Sequence, residues 1–259
     1  MLKMLRHGIK KIFPLKFKKH ETELIFHQLE KYLQHEKEKD IKALLQKAIE
    51  KRDINVKNEE GFTLLHLAIK NKDINLLAIL FSTYKLDVNI SSKHGITPLH
   101  LAVVNNLPYA VRELINRGAD VNVKIKSNYK FNGWTPLHLA AYYNALKILN
   151  LLNNDNLNLN EKDKFGWTPL HIAVNNNNYL FAKRLIELGA DVNIQNNNGD
   201  TILHIAVLDS AIDLVKIILE YGGRVDIKNK NGWTPLDVAK MIPKTNRNKI
   251  IIKMLKNLA

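Results

Sequence analysis

Apolar and polar positions alternate along this chain in a pattern that recurs. A polar turn is followed by a short apolar stretch, as in Gly166-Trp-Thr-Pro-Leu-His-Ile-Ala173, and about ten residues later by a second apolar stretch ending at Gly189. Apolar residues spaced three and four apart line one face of a helix, so each unit predicts two short helices. The segment 190–194, which follows the glycine, alternates apolar and polar residues as a short β-type segment does.

The opening phrase of this unit occurs six times. Its threonines are Thr63, Thr97, Thr135, Thr168, Thr201 and Thr234, which gives steps of 34, 38, 33, 33 and 33 residues. Each residue type in the phrase has a physical reason. Glycine adopts positive φ at low cost, threonine caps a helix N-terminus, and proline suits the first helical position. Such a repeat predicts a stack of helix pairs.

These motifs resemble the ankyrin repeat, which is about 33 residues long and carries T-P-L-H-x-A. The resemblance covers residues 56–259 directly and implies an all-α fold, an α-solenoid of stacked helix pairs with short β-hairpin tips. We expect a basic tail at 1–20 and a single repeat domain at 21–259. Within that domain we expect a degenerate capping repeat at 21–57, repeats at about 58–228 and a C-terminal capping repeat at about 229–259. The charged outer face of the leading capping repeat is typical of terminal repeats.

Two departures from the repeat are informative. The step of 38 residues places about five extra residues within 123–131, and we predict that they lengthen one exposed hairpin. In the last repeat Asp237 replaces the motif histidine at the third helical position, where a carboxylate is able to bond back to the helix cap.

Charge and composition narrow the function classes. The net charge is +14, of which residues 1–20 supply +7 because they contain seven Lys and Arg residues and no acid. The body is therefore only mildly basic. Cysteine is absent, which excludes disulfides, thiolate metal sites and a cysteine nucleophile. No apolar run approaches the 18 residues that a membrane-spanning helix needs.

Candidate chemistry is sparse. A metal ladder formed by the five motif histidines fails on distance, because equivalent side chains in stacked repeats lie about 8–10 Å apart. Two nitrogens on one zinc must lie within about 3–4 Å of each other. We expect each imidazole to bond to its own turn instead. The phosphate-binding, zinc-protease and serine-hydrolase motifs are also missing. We therefore expect neither catalysis nor a cofactor nor a metal.

The resemblance implies that a partner protein binds to the concave face, formed by hairpin tips, the residue after each motif glycine and the ends of the first helices. Aromatic residues concentrate at these positions in repeats three and four, and all three tryptophans follow a motif glycine. Aromatic side chains are common interface anchors. The alternative is that they pack across neighbouring hairpins. The candidates for partner binding are Tyr129, Phe131, Trp134, Tyr142, Tyr143, Phe165, Trp167 and Trp233.

We therefore expect a monomeric adaptor that binds an unidentified protein through this surface. The alternative function is electrostatic attachment of the basic tail to an anionic membrane or a nucleic acid. Compact chains of this kind are similar to ankyrin proteins that intracellular bacteria and large viruses direct against host proteins. The resemblance thus implies either a cytoplasmic protein or one delivered into a host cell.

Overall fold

A computed structural model describes residue 27 and residues 29–30, 39–126, 131–243 and 245–258. These residues form thirteen α-helices and no β-strand, so the predicted all-α fold is confirmed. None of the helices in these ranges is long and apolar enough to cross a bilayer. The helices are α1 (Lys39–Lys51), α2 (Leu64–Lys70), α3 (Ile74–Phe81), α4 (Pro98–Val104), α5 (Pro108–Asn116), α6 (Pro136–Tyr142), α7 (Leu146–Leu152), α8 (Pro169–Asn175), α9 (Tyr179–Glu187), α10 (Ile202–Leu208), α11 (Ile212–Glu220), α12 (Pro235–Met241) and α13 (Asn246–Lys256).

Helices α2 to α13 form six helical hairpins that stack in chain order. We call the first helix of each hairpin the inner helix (α2, α4, α6, α8, α10 and α12) and the second the outer helix (α3, α5, α7, α9, α11 and α13). Each inner helix contacts the inner helix of the next unit. Outer helices α5 and α7, α9 and α11, and α11 and α13 also contact each other. The architecture is therefore a solenoid, in which each unit is stabilised by its neighbours.

The leading helix α1 contacts α2 and buries Leu44, Leu45 and Ala48, as expected for the second helix of a degenerate first repeat. Of the segment predicted to supply the first helix of that repeat, residues 27, 29 and 30 are helical, and Leu29 is fully buried. The predicted tail at 1–20 lies outside the described residues. The domain boundaries drawn from the sequence therefore stay a prediction.

The motif residues fold as their chemistry requires. In α6 the Thr135 hydroxyl accepts the N–H of His138 at 3.4 Å, while the Thr135 N–H donates to the His138 imidazole at 3.1 Å. Pro136 occupies the first turn, where its missing N–H is not needed. In α12 the Thr234 N–H donates to the Asp237 carboxylate at 3.1 Å. The prediction that Asp237 bonds back to the cap in place of the motif histidine is therefore confirmed.

The turn between the two helices of each of the first five hairpins is closed by a residue with left-handed backbone geometry. The φ angles lie between 51° and 56°, at Lys72, Asn106, Asn144, Asn177 and Ser210. Asparagine adopts this conformation more readily than most residues because its short polar side chain bonds locally. The asparagine run at 175–178 therefore has a backbone role at Asn177.

The core runs the length of the stack. The motif leucines Leu99, Leu137 and Leu170 are buried, and so is every motif alanine from Ala68 to Ala239. Alanine at this position allows adjacent inner helices to approach closely, whereas a larger side chain would separate them. On the outer helices, apolar residues such as Leu149 and Leu185 bury one face.

The hairpin tips are turns rather than the predicted β-type segments. Backbone hydrogen bonds close each one, as from the Asp163 N–H to the Trp167 carbonyl at 2.9 Å and from the Gly166 N–H to the Asp163 carbonyl at 3.0 Å. The Asp163 carboxylate also accepts the N–H groups of Phe165 and Trp167, each at 2.8 Å. Gly166, with φ at +75°, is needed here because a Cβ atom would lie 2.5 Å from the Asn197 side-chain oxygen of the next tip.

Asparagine side chains join the base of each hairpin to the next repeat. Asn89 donates its amide N–H to the Gly118 carbonyl and accepts the N–H of Asp120, both at 2.9 Å. Asn55, Asn122 and Asn193 make the equivalent pair of bonds. The last repeat has Asp226 at this position, which forms an ion pair with Arg224. A carboxylate has no N–H to donate, so this series of paired asparagine bonds ends at the last repeat.

The extra residues of repeat three lengthen its hairpin, but the segment is not wholly exposed. Ile125 donates its N–H to the Trp134 carbonyl and accepts the N–H of Gly133, both at 2.9 Å. Its side chain is buried. The prediction of full exposure is therefore wrong at Ile125. Tyr129 lies outside the described residues.

Candidate protein-binding face

The motif histidines are structural. Each imidazole bridges two repeats, as at His138, where Nδ1 accepts the Thr135 N–H at 3.1 Å and Nε2 lies 3.1 Å from the Trp167 carbonyl oxygen. A carbonyl only accepts, so Nε2 carries the proton and the ring is neutral. The expectation that each imidazole bonds to its own turn is confirmed.

Burial reinforces this neutral state. It lowers the pKa of His66, His100, His138 and His171 from the usual 6.5 to about 4, and it lowers the pKa of His204. Both ring nitrogens of these histidines are engaged, so neither serves as a metal ligand or general base. Within the described ranges, no group of three His, Cys, Asp or Glu residues is placed to hold a metal ion.

We call the surface formed by the hairpin tips, the residues after the motif glycines and the C-terminal ends of the inner helices the inner face. It corresponds to the concave surface of the sequence-based expectation. The tips meet edge to edge because the N–H of one tip donates to a carbonyl of the preceding tip, as from Asn197 to Phe165 at 2.9 Å. The backbone of this face is therefore held by the same bonds that stack the repeats.

The aromatic residues predicted on this face differ in exposure. Tyr143, Phe165 and Trp233 are exposed, whereas Phe131, Tyr142 and Trp167 are half-buried. Four of the rings form a continuous edge-to-face chain. The ring centroids lie 4.8 Å apart for Phe131 and Trp134, 5.5 Å for Trp134 and Tyr142, and 5.2 Å for Tyr142 and Tyr143. This geometry is favourable, so the rings stabilise one another.

The expectation that Trp134 is an exposed anchor is wrong. Its side chain is only 5% exposed, and its indole Nε1–H donates to the Asp163 carboxylate of the next tip at 3.0 Å. A buried indole N–H needs such an acceptor, so the ring is fixed between two hairpins. Trp134 is therefore a packing residue that supports Phe131 and Tyr142.

The exposed aliphatic residues of the inner face lie mainly in its C-terminal half. Leu208 and Met241 end the neighbouring helices α10 and α12 and are 60% and 55% exposed. Trp233, which follows the glycine of the last repeat, is 40% exposed. Val104, at the equivalent end of α4, is also exposed. All three aliphatic residues lie seven residues after a motif threonine. That spacing is the signal by which the sequence alone identifies them.

Comparison with known families gives a consistent result over most of the chain. A family model described as ankyrin repeats (3 copies) matches residues 33–125 and 123–196. A second model, described as ankyrin repeats (many copies), matches residues 185–239. No curated protein matches the chain.

Proposed function

Because this chain belongs to the ankyrin-repeat family, whose repeats are generic protein–protein interaction modules, we propose that it binds a specific partner protein through the inner face. The family is a non-enzymatic interaction module, and the bonding of the motif histidines is consistent with that role.

The observation that carries the proposal is the set of exposed apolar side chains on a rigid backbone. Leu208, Trp233 and Met241 form the C-terminal part of this set, and Tyr143 and Phe165 lie on the central repeats. Large apolar side chains exposed together on one face are typical of interaction sites. A backbone fixed by bonds between repeats loses little conformational freedom when a partner binds, which favours affinity.

In this proposal the central aromatic residues have two roles. Tyr143 and Phe165 contact the partner, while Trp134 holds the rings of Phe131 and Tyr142 in place. Trp167, which is half-buried, contributes the exposed part of its surface. We expect the exposed anchors to contribute about 2 kcal/mol or more each to binding, as anchor residues do.

The experiment is a selection of binders from a displayed peptide and protein-domain library with the full chain. Each binder is then tested against Leu208→Ser/Met241→Ser and against the control Leu180→Ser/Ile250→Ser. Leu180 and Ile250 are exposed on outer helices α9 and α13, so the two double variants remove similar exposed apolar area. We expect the inner-face variant to lose the binders and the control to keep them. The opposite pattern would refute the proposal.

A second function has support from the sequence. Residues 1–20 supply +7 without an acid, and such a segment attracts anionic lipids or nucleic acid. We propose that this tail adds a salt-sensitive attachment to the same protein. Binding to anionic vesicles or to a DNA duplex, compared with and without residues 1–20, distinguishes the two surfaces.

A further inference from the structure

Lysine occupies most of the equivalent positions at the hairpin tips. The residue whose N–H donates to the preceding tip is Lys93, Lys126, Lys164, Asn197 and Lys230 in successive repeats. This bond identifies Lys126 as an equivalent residue, although the extra residues of repeat three obscure it in the sequence. All four lysines are exposed. We call Lys93, Lys126, Lys164 and Lys230 the tip lysine row.

Three acidic residues close to the row are bonded within the protein, whereas Glu59 and Glu60 of the first tip, next to Lys93, are exposed. Glu161 pairs with Lys124, which lies off the row, at 2.5 Å. The Asp163 carboxylate accepts two backbone N–H groups and the Trp134 indole N–H. Asp200 accepts the Asn229 amide at 2.8 Å. The carboxylates of Glu161, Asp163 and Asp200 thus accept bonds from donors within the protein. The lysines of the row are exposed, and the Lys164 Nζ lies 4.7 Å from the centroid of the Phe165 ring.

The spacing of the row sets the geometry of a ligand. Stacked helical units lie about 10 Å apart, and an extended chain advances about 3.3 Å per residue. An extended segment that runs along the tips therefore brings every third residue to a lysine. Apolar residues between those positions would meet the exposed aliphatic side chains of the inner face, such as Val104 and Leu208.

We propose that the tip lysine row binds an extended acidic segment of the partner protein, with carboxylates about three residues apart. The inference rests on the proposed function, because it assigns the chemistry of the partner that the inner face holds. A protein segment is favoured over a nucleic acid for two reasons. The neighbouring surface is aliphatic as well as aromatic, and the row contains no arginine, whose planar fork suits phosphate better than lysine does.

The test uses the full chain and a fluorescent 15-residue peptide, (Glu-Pro-Leu)5, which is extended because of its proline content. Fluorescence anisotropy measures its Kd for the wild type and for two variants of equal charge change. The first reverses the row with Lys93→Glu, Lys126→Glu, Lys164→Glu and Lys230→Glu. The matched control reverses exposed lysines of the outer helices with Lys147→Glu, Lys216→Glu, Lys249→Glu and Lys253→Glu.

Exposed ion pairs contribute up to about fivefold each to an equilibrium constant, so we expect the row variant to weaken binding at least about 10-fold. We expect the control to change the Kd less than about 2-fold at the same ionic strength. A peptide of the same composition with its glutamates clustered at one end should bind more weakly than (Glu-Pro-Leu)5. Circular dichroism of both variants checks that the helices remain folded.

Three results would overturn the inference. The first is no binding of (Glu-Pro-Leu)5 to the wild type, and the second is equal weakening in both variants, which would indicate a net-charge effect. The third is tighter, row-dependent binding of the oligonucleotide dT15, which would assign the row to nucleic acid. In each case the library selection with Leu208→Ser/Met241→Ser still decides separately whether the inner face binds a protein.

Discussion

Mild acid should destabilise this protein, because its five motif histidines are neutral in the folded state. The unfolded chain has histidine pKa values near 6.5, and burial lowers four of the folded values to about 4. As the pH falls below about 6.5, the unfolded state takes up protons first. The stability contributed by these histidines is therefore present above pH 6.5 and is lost between pH 6.5 and about 4.

The expected loss follows from the two pKa values. Between pH 7 and pH 5 each such histidine removes about 2 kcal/mol from the free energy of unfolding, and four remove about 7 kcal/mol. A domain is typically stable by about 5–15 kcal/mol, so the loss is a large fraction of the total. Asp209, whose pKa is raised by desolvation, acts in the opposite direction, but it is a single exposed group.

Urea unfolding followed by tryptophan fluorescence at pH 7, 6 and 5 measures this loss. The variant His138→Gln keeps an acceptor for the cap N–H but takes up no proton, so its loss between pH 7 and 5 should be smaller by about 2 kcal/mol. His94→Gln is the control, because His94 is exposed at a tip. Equal free energies of unfolding at pH 7 and pH 5 would refute the reasoning, as would an equal effect of the two variants.

Three further changes test other parts of the structure. Trp134→Phe leaves the Asp163 carboxylate without the indole donor and should lower the free energy of chemical unfolding by about 1–3 kcal/mol. The control Trp233→Phe, at an exposed ring, should change it by less than about 0.5 kcal/mol. Equal costs would contradict the assignment of Trp134 as a packing residue. Asn122→Asp removes the amide donor to the next repeat and should cost about 1–2 kcal/mol, while Asp226→Asn at the end of the ladder should cost less than about 0.5 kcal/mol. Deleting residues 1–20 should leave the Tm almost unchanged and weaken adsorption to anionic vesicles; a large fall in the Tm would assign the segment to the N-terminal cap.

The sequence predicts the fold well because each motif residue acts locally. Thr135, Pro136 and His138 cap one helix turn, and Asn177 closes a turn through its own backbone preference. Six repeats of such local signals leave little choice of architecture. The β-type segments were overpredicted because alternation of apolar and polar residues also results from a turn that buries every second side chain.

The candidate site was predicted less well because exposure is a property of neighbouring repeats. Trp134 and Trp233 follow equivalent glycines. Trp134 bonds to Asp163 of the next tip, whereas the tip of Trp233 is the last of the six and has no following tip among the described residues. The sequence around each tryptophan does not contain this difference. The equivalence of Lys126 to the other tip lysines also depends on a neighbouring repeat. It is identified by the bond from the Lys126 N–H to the His94 carbonyl of the preceding tip.

The central claim is that the inner face binds a protein, and hydrogen–deuterium exchange of the free and bound chain tests it most directly. The bound form contains the tightest binder from the library selection. We predict slower exchange at the hairpin tips and at the C-terminal ends of α10 and α12, with the outer helices α9, α11 and α13 unchanged. Protection of those outer helices, with the tips unchanged, would contradict the claim.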